Sequence, residues 1–238
     1  NDLTKITNNG IGIGFYYPAT LLREAVNLFK NTPVFIGAQD IHYNESGAHT
    51  GDISAEMVKD TGATHVLVAH SERRKNHGET NETANKKIEK ALEYDLISTY
   101  CFGEVLEEWE KGFAYVMKDV IKPQIEIGLN NISEEQMSKI ILAYEPDWAI
   151  GTGKTATPEY AEDIHAATIE LIAAQWGNEI ADKTIIQYGG SMKPDNAAGL
   201  IVKPNIKGGL IGGASLKAND FWNILVAEDQ TINSDGSN

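Results

Sequence analysis

Residues 143–154 read Ala143-Tyr144-Glu145-Pro146-Asp147-Trp148-Ala149-Ile150-Gly151-Thr152-Gly153-Lys154, a carboxylate at the end of an apolar run followed by a loop punctuated with glycine. Ile140 to Tyr144 is short and apolar, as a buried strand is. Thr157-Pro158-Glu159 has the form of a helix start, an N-cap residue with proline at the first helical position. The segment is therefore expected to run strand, loop, helix, with Glu145 at the carboxyl end of the strand. Barrels and open α/β sheets carry their chemistry at that end. Gly151-Thr152-Gly153 lets the loop fold over a ligand, while Pro146 and Trp148 stiffen its first hinge. A carboxylate beneath a closing loop suits a general base that must act out of contact with water.

Outward from this segment the strand-then-helix order repeats. Strand-like runs fall at Ile11–Phe15, Val34–Ala38, His65–Ala69, Ile97–Cys101, Ile140–Tyr144, Thr184–Tyr188 and Gly208–Ile211. Helical stretches fall at Ala19–Lys30, Glu82–Tyr94, Glu104–Ile127, Pro158–Trp176 and Asn219–Val226. Alternation of this kind predicts a parallel sheet covered by helices. Ile11 to Ala227 divides into seven units of about 31 residues, the spacing of a (β/α)8 barrel of about 250 residues. The arithmetic fits seven regular units with one missing rather than eight compressed ones.

At 238 residues, with 42% hydrophobic and 23% charged content, the chain can bury one full core, and a single domain over 11–227 is expected. The net charge of −14 argues against a nucleic-acid or anionic-membrane partner, either of which requires a basic face. No run approaches the roughly 18 apolar residues of a membrane span, and the first ten residues lack the order of a signal peptide. With its single cysteine, Cys101, the chain is expected to work in a reducing cytoplasm. No histidine motif accompanies Cys101, which reads as a packing residue. The acidic stretch Glu104–Glu110 reads as a solvated helical face.

Three further motifs stand at or beside strand ends: Ala69-His70-Ser71-Glu72-Arg73-Arg74, Gln187-Tyr188-Gly189-Gly190-Ser191 and Gly212-Gly213-Ala214-Ser215-Leu216-Lys217. With the segment at 143–154 they make four motifs which, in this order, resemble those of the triosephosphate isomerase family, over Ile13 to Phe221. The resemblance implies a TIM barrel that interconverts dihydroxyacetone phosphate and glyceraldehyde 3-phosphate, a step of glycolysis and gluconeogenesis, without metal or organic cofactor. By motif match Glu145 is the base and His70 the electrophile, a division of labour taken from the family. Residues 71–74 can begin a turn whose amides favour a neutral imidazole. Glu72 matches a second acidic residue of the site, expected to organise a lysine. Arg73 reads as a structural ion pair with Glu79. Ser191, Gly212 and Gly213, with Gly151 of the lid, match the groups that hold the substrate phosphate, which loop amides can do without a cationic cluster.

Departures from the family pattern carry expectations of their own. Family members open with a strand ending in an Asn-Trp-Lys-like segment, and nothing in residues 1–10 matches it. The first βα unit is thus expected to be missing or divergent, with 1–10 an unmatched segment, 228–238 a polar tail, and Lys5 unable to replace the family's lysine. Asp147 stands where an apolar residue is usual and is expected to bear on the base or on lid closure. Asp40, His49 and His77 replace an asparagine and two aromatic residues, so the interface is expected to be altered. The loop Gln39–Asp52 resembles the arm through which family members form homodimers. An isomerase of another small sugar phosphate, or an impaired barrel serving as a binding or structural subunit, are the alternatives.

Overall fold

The computed structural model describes residues 2–150 and 154–235. They carry six strands, β1 (Gly14–Tyr17), β2 (Phe35–Ala38), β3 (His65–Val68), β4 (Ile97–Phe102), β5 (Ile140–Tyr144) and β6 (Ile185–Tyr188), ordered in the sheet as in the chain. The helices are α1 (Asp2–Asn8), α2 (Leu22–Phe29), α3 (Ala55–Asp60), α4 (Ser71–His77), α5 (Asn81–Glu93), α6 (Leu106–Trp109), α7 (Phe113–Tyr115), α8 (Lys122–Gly128), α9 (Glu134–Met137), α10 (Pro158–Trp176), α11 (Asn178–Lys183), α12 (Ala197–Ile201) and α13 (Ala218–Asp235).

One compact unit comprises Asn1–Cys101 and Gln124–Ile141. Here β1, β2, β3 and β4 pair in parallel, with Gly14 opposite Phe35, Gly37 opposite His65 and Val68 opposite Tyr100. All four residues of β3 are buried, as in a parallel strand covered on both faces. Helix α5 starts where the Thr80 hydroxyl accepts from the Thr83 amide and the Thr83 hydroxyl accepts from the Thr80 amide, satisfying two otherwise orphaned donors.

The second unit comprises Phe102–Pro123 and Leu142–Asn238. The Glu145 amide donates to the Phe102 carbonyl and the Gly189 amide to the Tyr144 carbonyl, each at 2.7 Å. These bonds fix the end of β5 against the ends of β4 and β6. Helix α10 begins as the sequence predicts, with the Thr157 hydroxyl accepting from the Tyr160 amide and proline in the first turn. Ala161, Ile164 and Ile172 form its buried stripe.

Several expectations are corrected. Among the described residues Gly208–Ile211 makes an isolated bridge, Tyr188 to Gly209, rather than a strand. Gly208 has φ 140°, which breaks the extended run after a single pairing. The stretch 104–127 is not one helix: Gly112, with φ 90°, separates α6 from α7, and a π-turn at Val116–Ile121 follows. Apart from these corrections, residues 2–8 are helical with Ile6 buried, and α13 runs to Asp235. Glu104 is not on a solvated face but wholly buried. Cys101 is buried, as its lack of a histidine partner motif suggested.

Candidate active site

In the first unit β3 delivers the chain to His70 through a turn at Ala69, whose φ is 60°. For a residue with a Cβ that conformation costs about 1–2 kcal/mol. His70 is the N-cap of α4: its Nδ1 accepts from the Glu72 amide at 3.3 Å, and its carbonyl accepts from the Arg73 and Arg74 amides at 2.7 and 3.1 Å. With Nδ1 as the acceptor of that N–H, the tautomer it favours has its hydrogen on Nε2. The Glu72 carboxylate itself is exposed, so its contribution here is the backbone amide. Imidazole nitrogen shifts should show His70 neutral from about pH 5 to about 8; titration near the unperturbed value of about 6.5 would mean that the helix end does not govern the ring. His70 and Glu72 line a cavity of about 470 Å³ with Gln39, Asp40, His42 and Arg73.

Behind this turn lies a charge network that the sequence shows only in part. Arg73 pairs with Glu79 as expected, Nε to Oε2 at 3.5 Å, but more closely with Asp40, Nη2 to Oδ2 at 2.9 Å. Lys87, on α5, donates to Asp40 at 2.6 Å and to Glu79 at 2.8 Å, and its side chain is only 7% exposed. Two carboxylates and two cations balance, as burial requires. Burial raises the Asp40 carboxyl above its ordinary range, and the Lys87 hydrogen bond opposes that shift. Arg74 binds backbone instead, donating to the carbonyls of Ala69 and Cys101 and to Asn81 Oδ1.

In the second unit Glu145 follows β5 and is 3% exposed. Two glycines define its seat. A Cβ on Gly103 would lie 1.9 Å from the Glu145 carbonyl oxygen, and one on Gly189 would lie 2.7 Å from the Glu145 Cγ. Gly189 therefore serves packing against Glu145 as well as the turn after β6. Ser191 is half-buried, its amide donating to the Ala149 carbonyl at 3.3 Å and its carbonyl accepting from Asn196 Nδ2 at 2.9 Å. Gly212 and Gly213 are exposed, and a Cβ on either would meet nothing within 4 Å. They open a 3-10 turn, Gly213–Leu216, that presents backbone to open space. Gly151 lies outside the described residues.

Glu104 is a site-supporting residue that the sequence reading missed. Its Oε1 accepts from Trp148 Nε1 at 2.8 Å, Tyr144 OH at 2.9 Å and Tyr160 OH at 3.3 Å, and its carbonyl accepts from the Asp147 amide at 3.0 Å. The residue thus anchors the segment on both sides of Pro146. Burial pushes its carboxyl up, while the three donors pull it down. The available signal was position: Gly103-Glu104 follows β4 at the end where Glu145 follows β5. Asp147 opens a 3-10 turn, Asp147–Ala149, and is half-buried.

As to metals, His42, His49 and Asp52 bring ligand atoms within 4.8 Å of one another. However, His42 Nδ1 already accepts from the Asn44 amide at 2.9 Å, and His49 Nε2 lies 2.8 Å from Asn44 Nδ2. An ion would have to displace Asn44 from both rings.

Comparison with known proteins agrees with this geometry. The family model for triosephosphate isomerase matches residues 2–228, a span that includes α1. A triosephosphate isomerase of Fusobacterium nucleatum is 45% identical over 226 residues, covering 95% of this chain and 88% of the relative. One from Treponema denticola is 47% identical over 207 residues, covering 87% and 82%. Among solved structures, the triosephosphate isomerase of Bartonella henselae superposes with a TM-score of 0.82 at 36% identity, covering 95% of this chain and 91% of that one. The fold is accordingly that of a TIM barrel.

Proposed function

The chain belongs to the triosephosphate isomerase family, and we propose that it interconverts dihydroxyacetone phosphate and glyceraldehyde 3-phosphate by proton transfer through an enediolate. The observation that carries this is the buried carboxylate of Glu145, seated at the carboxyl end of β5 where neither Gly103 nor Gly189 can bear a side chain. Glu145 takes the proton from one carbon and returns it to the next. His70 donates through Nε2–H to the substrate oxygens, its Nδ1 being held by the Glu72 amide. These two roles are the family's established ones, carried over by motif. Glu72 acts through its backbone on the imidazole. Ser191, matched by motif, with Gly212, Gly213 and Gly151, holds the phosphate; the amides of the glycines are the donors, since that of Ser191 is bonded to the Ala149 carbonyl. The test is isomerisation of either triose phosphate by the purified chain in deuterated water, with deuterium entering the product. A folded chain that binds an inorganic phosphate or triose-phosphate analogue yet shows no exchange would refute the reading.

Among the described residues no helix is long and apolar enough to cross a membrane, and a cytoplasmic site of action belongs to the same proposal. So does a homodimer through the Gln39–Asp52 loop. Residues Asn44–Ala48 at its tip are exposed, its base is tied down by the His42 amide donating to the Ile53 carbonyl at 2.8 Å, and Tyr94 OH donates to Glu45 within the tip. A loop anchored at its base and solvent-exposed at its tip suits insertion into a second copy. Analytical ultracentrifugation should show a dimer that a charge reversal at Glu45 weakens; a monomer at every concentration would exclude it.

A further inference from the structure

We infer that Glu79 and Arg74 are positioning residues for His70: together they hold Ala69 in the left-handed conformation from which the imidazole is aimed. The inference rests on the reading of His70 as the electrophile. Ala69 is 1% exposed and has φ 60°. A residue with a Cβ avoids that region, and its neighbours must over-determine the backbone to keep it there. Here both polar groups of the Ala69 backbone are held by charged side chains. The N–H donates to Glu79 Oε1 at 2.9 Å, and the carbonyl accepts from Arg74 Nε at 3.0 Å.

Each holder is itself held. Glu79 Oε2 accepts from Lys87 at 2.8 Å, which leaves Oε1 for the amide. The Arg74 guanidinium is fixed by Asn81 Oδ1 at 2.7 Å, the Cys101 carbonyl at 3.2 Å and Tyr100 OH at 3.3 Å. The very next residue, His70, turns the chain into α4 with φ −48° and ψ 143°. Rotation about the Ala69 backbone would therefore swing the imidazole away from the Glu72 amide. An ion network built only for stability would not need to commit one carboxylate oxygen to this amide. The strain at Ala69 makes that bond do something specific, because without it the alanine has no reason to stay left-handed.

Three variants test this, by kcat and KM for triose-phosphate isomerisation and by the imidazole nitrogen spectrum of His70. Glu79→Ala should lower kcat about 10- to 100-fold with KM within about threefold, and should shift the His70 resonances, since displacement of a catalytic group by about 1 Å costs up to roughly 10²-fold. Glu79→Gln keeps an oxygen for the Ala69 amide and should retain kcat within about fivefold. Adding Ala69→Gly to Glu79→Ala should recover at least about tenfold in kcat and restore the spectrum, because glycine adopts the left-handed conformation without a clamp. A folded Glu79→Ala with unchanged kcat and spectrum, or failure of Ala69→Gly to rescue it, overturns the inference. Should Glu79→Ala not fold, Ala69→Val asks the same question from the backbone side. A β-branched residue is excluded from the left-handed region, so kcat should fall at least about tenfold, and an unchanged kcat overturns the inference. His70→Gln separates the two readings: if it retains full activity, the role of His70 fails, whereas the His70 spectrum of the Glu79 variants still reports on the clamp.

Discussion

Glu145→Gln should lower proton exchange by about 10³-fold or more while leaving the affinity for inorganic phosphate and triose-phosphate analogues within about threefold. The substitution removes the basic lone pair and almost no volume, so the seat between Gly103 and Gly189 stays filled. The loops at Ser191 and Gly212–Gly213 are untouched. Exchange of substrate hydrogen with deuterated water reads the first quantity and calorimetric titration the second. Exchange at the parental rate would remove Glu145 from the mechanism. Loss of anion binding in parallel would mean that the residue shapes the pocket rather than acting as its base.

The second large effect is expected from a residue that takes no part in the chemistry. Gly103→Ala places a Cβ 1.9 Å from the Glu145 carbonyl oxygen and 2.5 Å from its carbonyl carbon, a collision with backbone that no rotamer relieves. Either the start of the segment after β4 or the end of β5 must move. Overpacking of this kind costs about 1–3 kcal/mol of stability, and a displacement of the base by about 1 Å costs roughly 10² in kcat. Gly199→Ala, on α12 and away from every assigned site residue, serves as the control, since its Cβ meets nothing within 4 Å. Thermal melts and kcat for the two alanine variants should differ sharply; equal, near-parental values for both would show that the tight approach at Gly103 is not maintained in solution.

The sequence shows the fold wherever a run is apolar and closed by a recognisable cap. Pro158–Trp176 could be read to the residue because Thr157 and Pro158 mark its start and Gly177 its end. The stretch after Glu104 could not. Its helical periodicity is real, but Gly112 at φ 90° interrupts it, and propensity does not say where a chain will turn. Gly208–Ile211 failed as a strand for a related reason, since its backbone departs from extended geometry at Gly208.

Of the proposed site, the sequence shows the residues assigned by motif better than those that hold them. Glu145 and His70 stand in motifs whose spacing is local. Lys87 reaches Asp40 across 47 positions and Tyr160 reaches Glu104 across 56. Nothing in a linear text links such pairs, and Glu104 in particular lies among acidic residues that mostly do face solvent. The Arg73–Glu79 pair was readable because both ends lie on one short stretch. Asp40, noticed only as a departure from a familiar pattern, proves to close the charge balance of a half-buried quartet.

The two glycines around Glu145 also govern how such a chain can change by descent. Every substitution of Gly103 adds a Cβ, and with it the same collision, so no single mutational step at that position is open while β5 stays where it is. A lineage would first have to shift the strand that bears Glu145, which on the proposed mechanism would itself cost activity. The buried Glu79–Lys87 pair imposes a comparable constraint, since removing either charge leaves the other buried with less compensation. Such constraints leave change easiest at exposed surfaces such as the 44–48 loop. There a change displaces nothing that the base or the imidazole relies on.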